Sequence, residues 1–164
     1  MKPGEHPEFF RFPAPEGRSR ESTIRLDRDG HFFHENEPVE HPKLAAAMHT
    51  WISRHPDDGR YILTNGYDWT YFTVEDVPYF VRSVRIEEDA IFLTLSDDTE
   101  ESWDASGSET RGDTLYTKVK KDKPGGPFEA KFTRHAQTAL APVLVDDDGK
   151  PAVRLKTRTI RVGD

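Results

Sequence analysis

Three histidines and three glutamates fall within eleven residues, HFFHENEPVEH from His31 to His41, in a chain without cysteine. That density suits a metal ion or an acid–base cluster. Zinc needs three or four such ligands converging at about 2.0–2.2 Å from one point. If residues 31–34 form a strand, however, His31 and His34 are an odd number apart and point to opposite faces. His41 precedes Pro42 and belongs at a helix start, where a polar side chain can satisfy free backbone amides. The segment therefore reads as a hairpin-to-helix joint. A metal-dependent hydrolase using His31, His34 and Glu35 is the alternative, and it would require a bulge.

Three other groupings bear on function. The acidic run SDDTEESWD offers oxygen ligands, but its spacing matches no EF-hand loop and such runs are ordinarily solvated. Tyr67, Trp69 and Tyr71 alternate along a strand-like stretch. On one face they would form a platform for stacking a base, although such a stripe is more often a piece of core. Near the C-terminus Arg154, Lys156 and Arg158 recur at every second residue. On a continuous strand three cations would share a face suited to phosphate, although a turn near 156–158 would break it. Lys and Arg also protect exposed strand edges. No G-x-S-x-G, Walker-type loop or H-E-x-x-H occurs, and neither catalytic residue, metal nor cofactor is assigned.

The elements that must position these residues follow from local pattern. Residues 1–21, rich in Pro, Gly, Arg and Glu, read as an extended or partly ordered arm anchored by Phe9, Phe10 and Phe12. STIRLDRDGHFF reads as a hairpin with Asp29-Gly30 at its tip. From Pro42 to His55 the residues Leu44, Met48, Trp51, Ile52 and His55 define one helix face. Pro56-Asp57-Asp58-Gly59 stops that helix, and RYILT follows as a strand. WTYFTV, PYFVRSVRI, AIFLTLS, TLYTKVKK and PFEAKFT are strand-like, the last with Phe128, Ala130 and Phe132 on one face. A second helical face runs through Phe132, Ala136, Leu140, Val143 and Leu144, with a kink or early end expected at Pro142. AVRL and TIRV form a closing hairpin. Each half thus shows strands, a helix, an Asp-Asp-Gly turn followed by a basic residue (Arg60, Lys150) and a strand, the outline of an imperfect repeat.

Composition narrows the function classes. At 164 residues the chain holds one ordinary domain or two very small ones, and 10 Phe, 5 Tyr and 3 Trp supply core material despite 32% charged residues. No apolar run approaches the roughly 20 residues that span a bilayer, and the N-terminus lacks a signal-peptide core. The absence of cysteine suits a reducing cytoplasm. A net charge of −7 argues against general nucleic-acid or membrane binding. The charge is uneven. Residues 1–110 carry 23 acidic against 11 basic side chains, and residues 111–164 carry 7 against 12. The two parts would attract each other, or the basic part would hold a small anion.

DRDGHFFHENEPVEHPKL, DDGRYIL and FTVEDVPYFVRSV resemble the uncharacterised bacterial family called domain of unknown function 1285, most closely over residues 22–86. Asn36 stands where that family has Gly and His41 where it has Arg, and VRLKTRTIRV replaces its aromatic, Gly-rich ending. That family is not known to be enzymatic, and the resemblance implies a duplicated α+β fold whose second copy is similar to pleckstrin-homology folds. It also implies a groove between the copies for a nucleotide-like ligand in signalling. The expectation is an α+β protein of two small packed subdomains, 22–66 and 67–164. Its expected role is a cytoplasmic, non-catalytic ligand-binding or signalling module, with Tyr67, Trp69, Tyr71, Arg154, Lys156 and Arg158 at the site. A protein-interaction domain using an exposed strand edge is a further alternative.

Overall fold

The computed structural model describes residues 2–163, and the chain divides into two compact units. One runs to Pro78 and takes in Asp122–Gly126; the other comprises Tyr79–Lys121 and the residues from Pro127 onward. Both mix short helices with sheet, so the fold class is α+β.

In the first unit β1 (Ile24–Leu26) and β2 (Phe32–His34) form the expected antiparallel hairpin, with Leu26 opposite Phe32. Asp27 Oδ1 closes its tip by accepting from the backbone N–H groups of Asp29 and His31, both at 2.9 Å. A two-residue turn, Glu35 (φ +53°) and Asn36 (φ +66°), leads to β3 (Glu37–Pro38). Positive φ at both positions matches the twist of a tight hairpin, and Asn36 tolerates it as Gly would. Helix α1 (Pro42–Thr50) follows.

The helix is shorter than its apolar period suggests. Trp51 caps it, its N–H donating to the Met48 carbonyl, and the next residues form β4 (Ile52–Arg54). Sheet pairing of Ile52 with Leu63 overrides the helical period, so Ile52 and His55 leave the predicted helix face. Strands β4, β5 (Tyr61–Thr64) and β6 (Trp69–Tyr71) form a three-stranded antiparallel sheet. Residue 66 lies in the turn between β5 and β6, and the first unit continues past it to Pro78. Strand β7 (Thr73–Val74) completes the four-stranded sheet by pairing parallel to β1.

The N-terminal residues are docked instead of extended. Two short 3-10 turns, Pro3–Glu5 and Phe9–Arg11, bring Phe9 into a buried cluster with Ile62 and Trp69. His55 holds the arm. Asp57 N–H donates to its Nδ1 (3.1 Å), so Nε2 carries the proton and donates to the Phe10 carbonyl (2.9 Å). Residues 122–126 join the same unit, where Lys123 Nζ donates to the Ile52 carbonyl and Arg54 donates to the Gly125 carbonyl at 2.8 Å.

The second unit has a six-stranded sheet made of β8 (Tyr79–Ile86), β9 (Ile91–Leu95), β10 (Glu100–Ser102), β11 (Glu109–Arg111), β12 (Thr114–Val119) and β13 (Phe128–Phe132). Among the described strands of this sheet, β8 and β13 alone pair in parallel. Phe128, Ala130 and Phe132 are all buried, as their alternation predicts. Helix α2 (Arg134–Ala139) starts at Thr133, whose hydroxyl accepts from the Ala136 N–H. It ends before Pro142, which sits in a 3-10 turn. The expected helical face is therefore divided: Phe132 closes β13, and Leu144 opens β14 (Leu144–Asp147). Strands β14, β15 (Lys150–Arg154) and β16 (Thr159–Arg161) form a three-stranded antiparallel sheet.

Both Asp-Asp-Gly turns join two strands, where the sequence suggests helix-to-strand connectors. The first spans residues 55–60 between β4 and β5; the second is a tight turn at Asp148 (φ +59°) and Gly149 (φ +83°).

Candidate functional site

The HFFHENEPVEH segment is a hairpin-to-helix joint. The His31 side chain is 74% exposed, with Nδ1 3.9 Å from Asp27 Oδ2. His34 ends β2 and is exposed. His41 is the N-cap of α1, its Nδ1 accepting from the Leu44 N–H at 3.3 Å. Among the described residues no three His, Asp or Glu side chains come together to hold a metal, so His31, His34 and Glu35 form no ligand cluster.

That joint instead forms one wall of a groove of about 550 Å³ within the first unit. Pro38, Val39, Glu37, Glu40, His34 and His41 come from the joint. Leu44, Met48 and Trp51 come from α1 and its cap, spaced i, i+4, i+7 on the helix. Leu63, Asn65, Asp68, Trp69 and Thr70 come from the β5–β6 hairpin. Three of the five residues of the predicted helix face thus line the groove: Met48 is buried, whereas Leu44 is 44% exposed.

The polar groups here are largely committed. Asn65 Oδ1 accepts from the N–H groups of Tyr67 and Asp68, both at 2.9 Å, and Thr70 Oγ1 donates to the Arg20 carbonyl at 2.8 Å. Arg20 donates to the Asp68 carboxylate and lies over the Trp69 ring, 4.5 Å from its centroid. Burial pushes the Asp68 carboxyl up, but the Trp69 N–H and the Arg20 guanidinium outweigh that and hold it below its ordinary value. Trp69 Nε1 is buried without a hydrogen-bond partner. Glu37 and Glu40 are exposed and make no ion pair among the described residues.

The predicted site residues divide between the units. Tyr67 is 63% exposed in the β5–β6 turn, outside the strand. Trp69 and Tyr71 do share a face, with ring centroids 5.1 Å apart, but Trp69 belongs to the buried cluster with Phe9 and Ile62. In the second unit Arg154 lies in β15, while Lys156 and Arg158 lie in the turn after it. Lys156 Nζ pairs with Glu88 (3.2 Å) and Arg158 donates to the Asp89 carbonyl (2.9 Å), so the turn docks on the β8–β9 turn and the three cations share no strand face.

Within SDDTEESWD one acidic residue is buried, against the solvated-run pattern. Asp97 is buried and pairs with Lys120 at 2.7 Å, while Thr99 donates to it through both hydroxyl and backbone N–H. Burial pushes its carboxyl up, yet the Lys120 and Thr99 hydrogen bonds and the Lys120 charge hold it below the ordinary value. Tyr79, wholly buried, has its hydroxyl pushed upward by desolvation and then by the charges of Asp97 and Glu101.

No family model and no curated protein matches the sequence. Among solved structures, a DUF1285 family protein from Silicibacter pomeroyi DSS-3 is similar over 93% of this chain and 91% of its own, with 15% identity and a TM-score of 0.60. A DUF1285 family protein from Shewanella baltica OS155 is similar over 71% of this chain and 87% of its own, with 15% identity and a TM-score of 0.53. The chain therefore has the fold of the family its motifs resemble.

Proposed function

We propose that this chain is a member of that uncharacterised family acting as a non-catalytic ligand-binding module, and that the groove beside α1 holds the ligand. One observation carries the reading: on the apolar stripe of α1, Leu44 is exposed and Trp51 half-buried where they line a concavity, and Met48 between them is covered. A concave, mainly apolar site with a few placed polar groups is the usual form of a small-molecule site. Catalysis draws little support, because Thr70, the one hydroxyl side chain lining the groove among the described residues, donates to a backbone carbonyl and has no basic partner. A phosphorylated or nucleotide-like ligand is less well supported, since among the described residues no Lys or Arg lines the groove and Lys156 and Arg158 are engaged by Glu88 and Asp89. Docking through a strand edge gains little from edge strands of only two to four residues. An origin by duplication is supported by a shared order, a helix followed by a three-stranded sheet whose first turn is Asp-Asp-Gly. The pleckstrin-homology likeness and the signalling role rest on the resemblance alone.

A thermal-shift panel of apolar amines, alcohols, carboxylates and nucleotides tests the site. A ligand at 100 times its Kd stabilises by about 2.7 kcal/mol. Leu44→Gln keeps the helix and places a polar group in the wall, so it is expected to abolish the shift while leaving the unliganded Tm within a degree or so. Silence across the panel at millimolar concentration, or binding unchanged in Leu44→Gln, would overturn the assignment.

A further inference from the structure

The ligand chemistry follows from the charges left uncommitted around this groove, and it rests on the groove being the ligand site. Asp68 is neutralised by Arg20, His41 spends Nδ1 on the helix N-terminus, and Asn65 Oδ1 closes its own turn. What remains with a formal charge among the described lining residues is Glu37 and Glu40, both exposed on the joint between β2 and α1. No lining side chain is Lys or Arg. The walls opposite are apolar and aromatic, with Leu44, Met48, Trp51 and Trp69.

We infer that the groove takes a small organic cation, a primary amine carried on an alkyl or aryl body. A carboxylate is acceptor-only when ionised, so it is matched by an ammonium with three donors. The half-buried Trp51 ring also attracts a cation, and the apolar body displaces water from Leu44 and Trp51. An anion of the same shape would meet two like charges and no compensating cation.

The experiment compares 4-phenylbutylamine, 4-phenylbutanol and 4-phenylbutyrate, three probes with one apolar body and charges of +1, 0 and −1. Binding to the full chain is followed by calorimetry and by the emission of Trp51 and Trp69. The amine is expected to bind about threefold to tenfold tighter than the alcohol, with the carboxylate weakest. This preference is expected to shrink as salt is raised. In the double variant E37Q/E40Q the amine falls to the affinity of the alcohol, whose own affinity is unchanged. Equal binding of all three probes, a preference for the carboxylate, or an amine preference that survives in E37Q/E40Q overturns the inference. If that binding is still lost in Leu44→Gln, the groove stands as the site and only its charge selectivity is wrong. No binding by any probe, or binding indifferent to Leu44→Gln, overturns both.

Discussion

His55 shows how one side chain can hold an otherwise polar segment in place. It is 6% exposed and both ring nitrogens are occupied, one by Asp57 and one by the Phe10 carbonyl. His55→Leu is expected to cost about 1–2 kcal/mol in urea unfolding and to speed tryptic cleavage at Arg18 and Arg20, because the arm loses its clamp. The Asp97–Lys120 pair makes a second prediction. The carboxyl of Asp97 is held low in the folded state, so the unfolded chain binds the extra proton as pH falls. Its contribution is fully present above the unfolded value of about 3.9 and is lost as pH drops through the lower folded one. Asp97→Asn should therefore flatten the acid limb of a stability–pH curve. Lys120→Met, which leaves a buried carboxylate without its cation, is expected to cost about 3–5 kcal/mol at neutral pH. His41 as a helix cap was legible from its place before Pro42. Asp97 was not, because its partner lies 23 positions away and the other carboxylates of the run are exposed or half-buried.

At the scale of elements, turn chemistry was easier to read than helix length. Asp-Gly marked the β1–β2 tip, and Asn36 stood out as a residue that tolerates left-handed backbone. Glu35, also at positive φ, was not foreseen, since nothing about a glutamate announces that geometry. Replacing the pair with Asn-Gly is expected to stabilise the unit by about 1 kcal/mol, measured as a rise in the urea midpoint without a change in m-value. The helix was over-read because Trp51, Ile52 and His55 continue an apolar period that a neighbouring strand then captures. The same stripe explains why the groove was missed. A 3.6-residue period reports which residues line up, not whether the rest of the fold covers them. Leu44 and Met48 share a stripe, and only one of them is buried.

For the whole molecule, the α+β class, strand content and family fold were legible from alternation, turn residues and motif resemblance. The grouping of strands into sheets was not. The parallel partnerships of β1 with β7 and β8 with β13 join residues about fifty apart, beyond any local pattern. The division into units has a further consequence. Asp122–Gly126 lies between two strands of the second unit but contributes to the first, where Lys123 and Gly125 meet Ile52 and Arg54. A fragment ending at Pro78 would lack both contacts, and its helical and strand signals in circular dichroism are expected to melt below those of the full chain. Modular inheritance is thereby constrained. A gene broken at this junction would not transmit the first unit intact, and recombination could exchange that unit only by carrying a five-residue piece from deep inside the second.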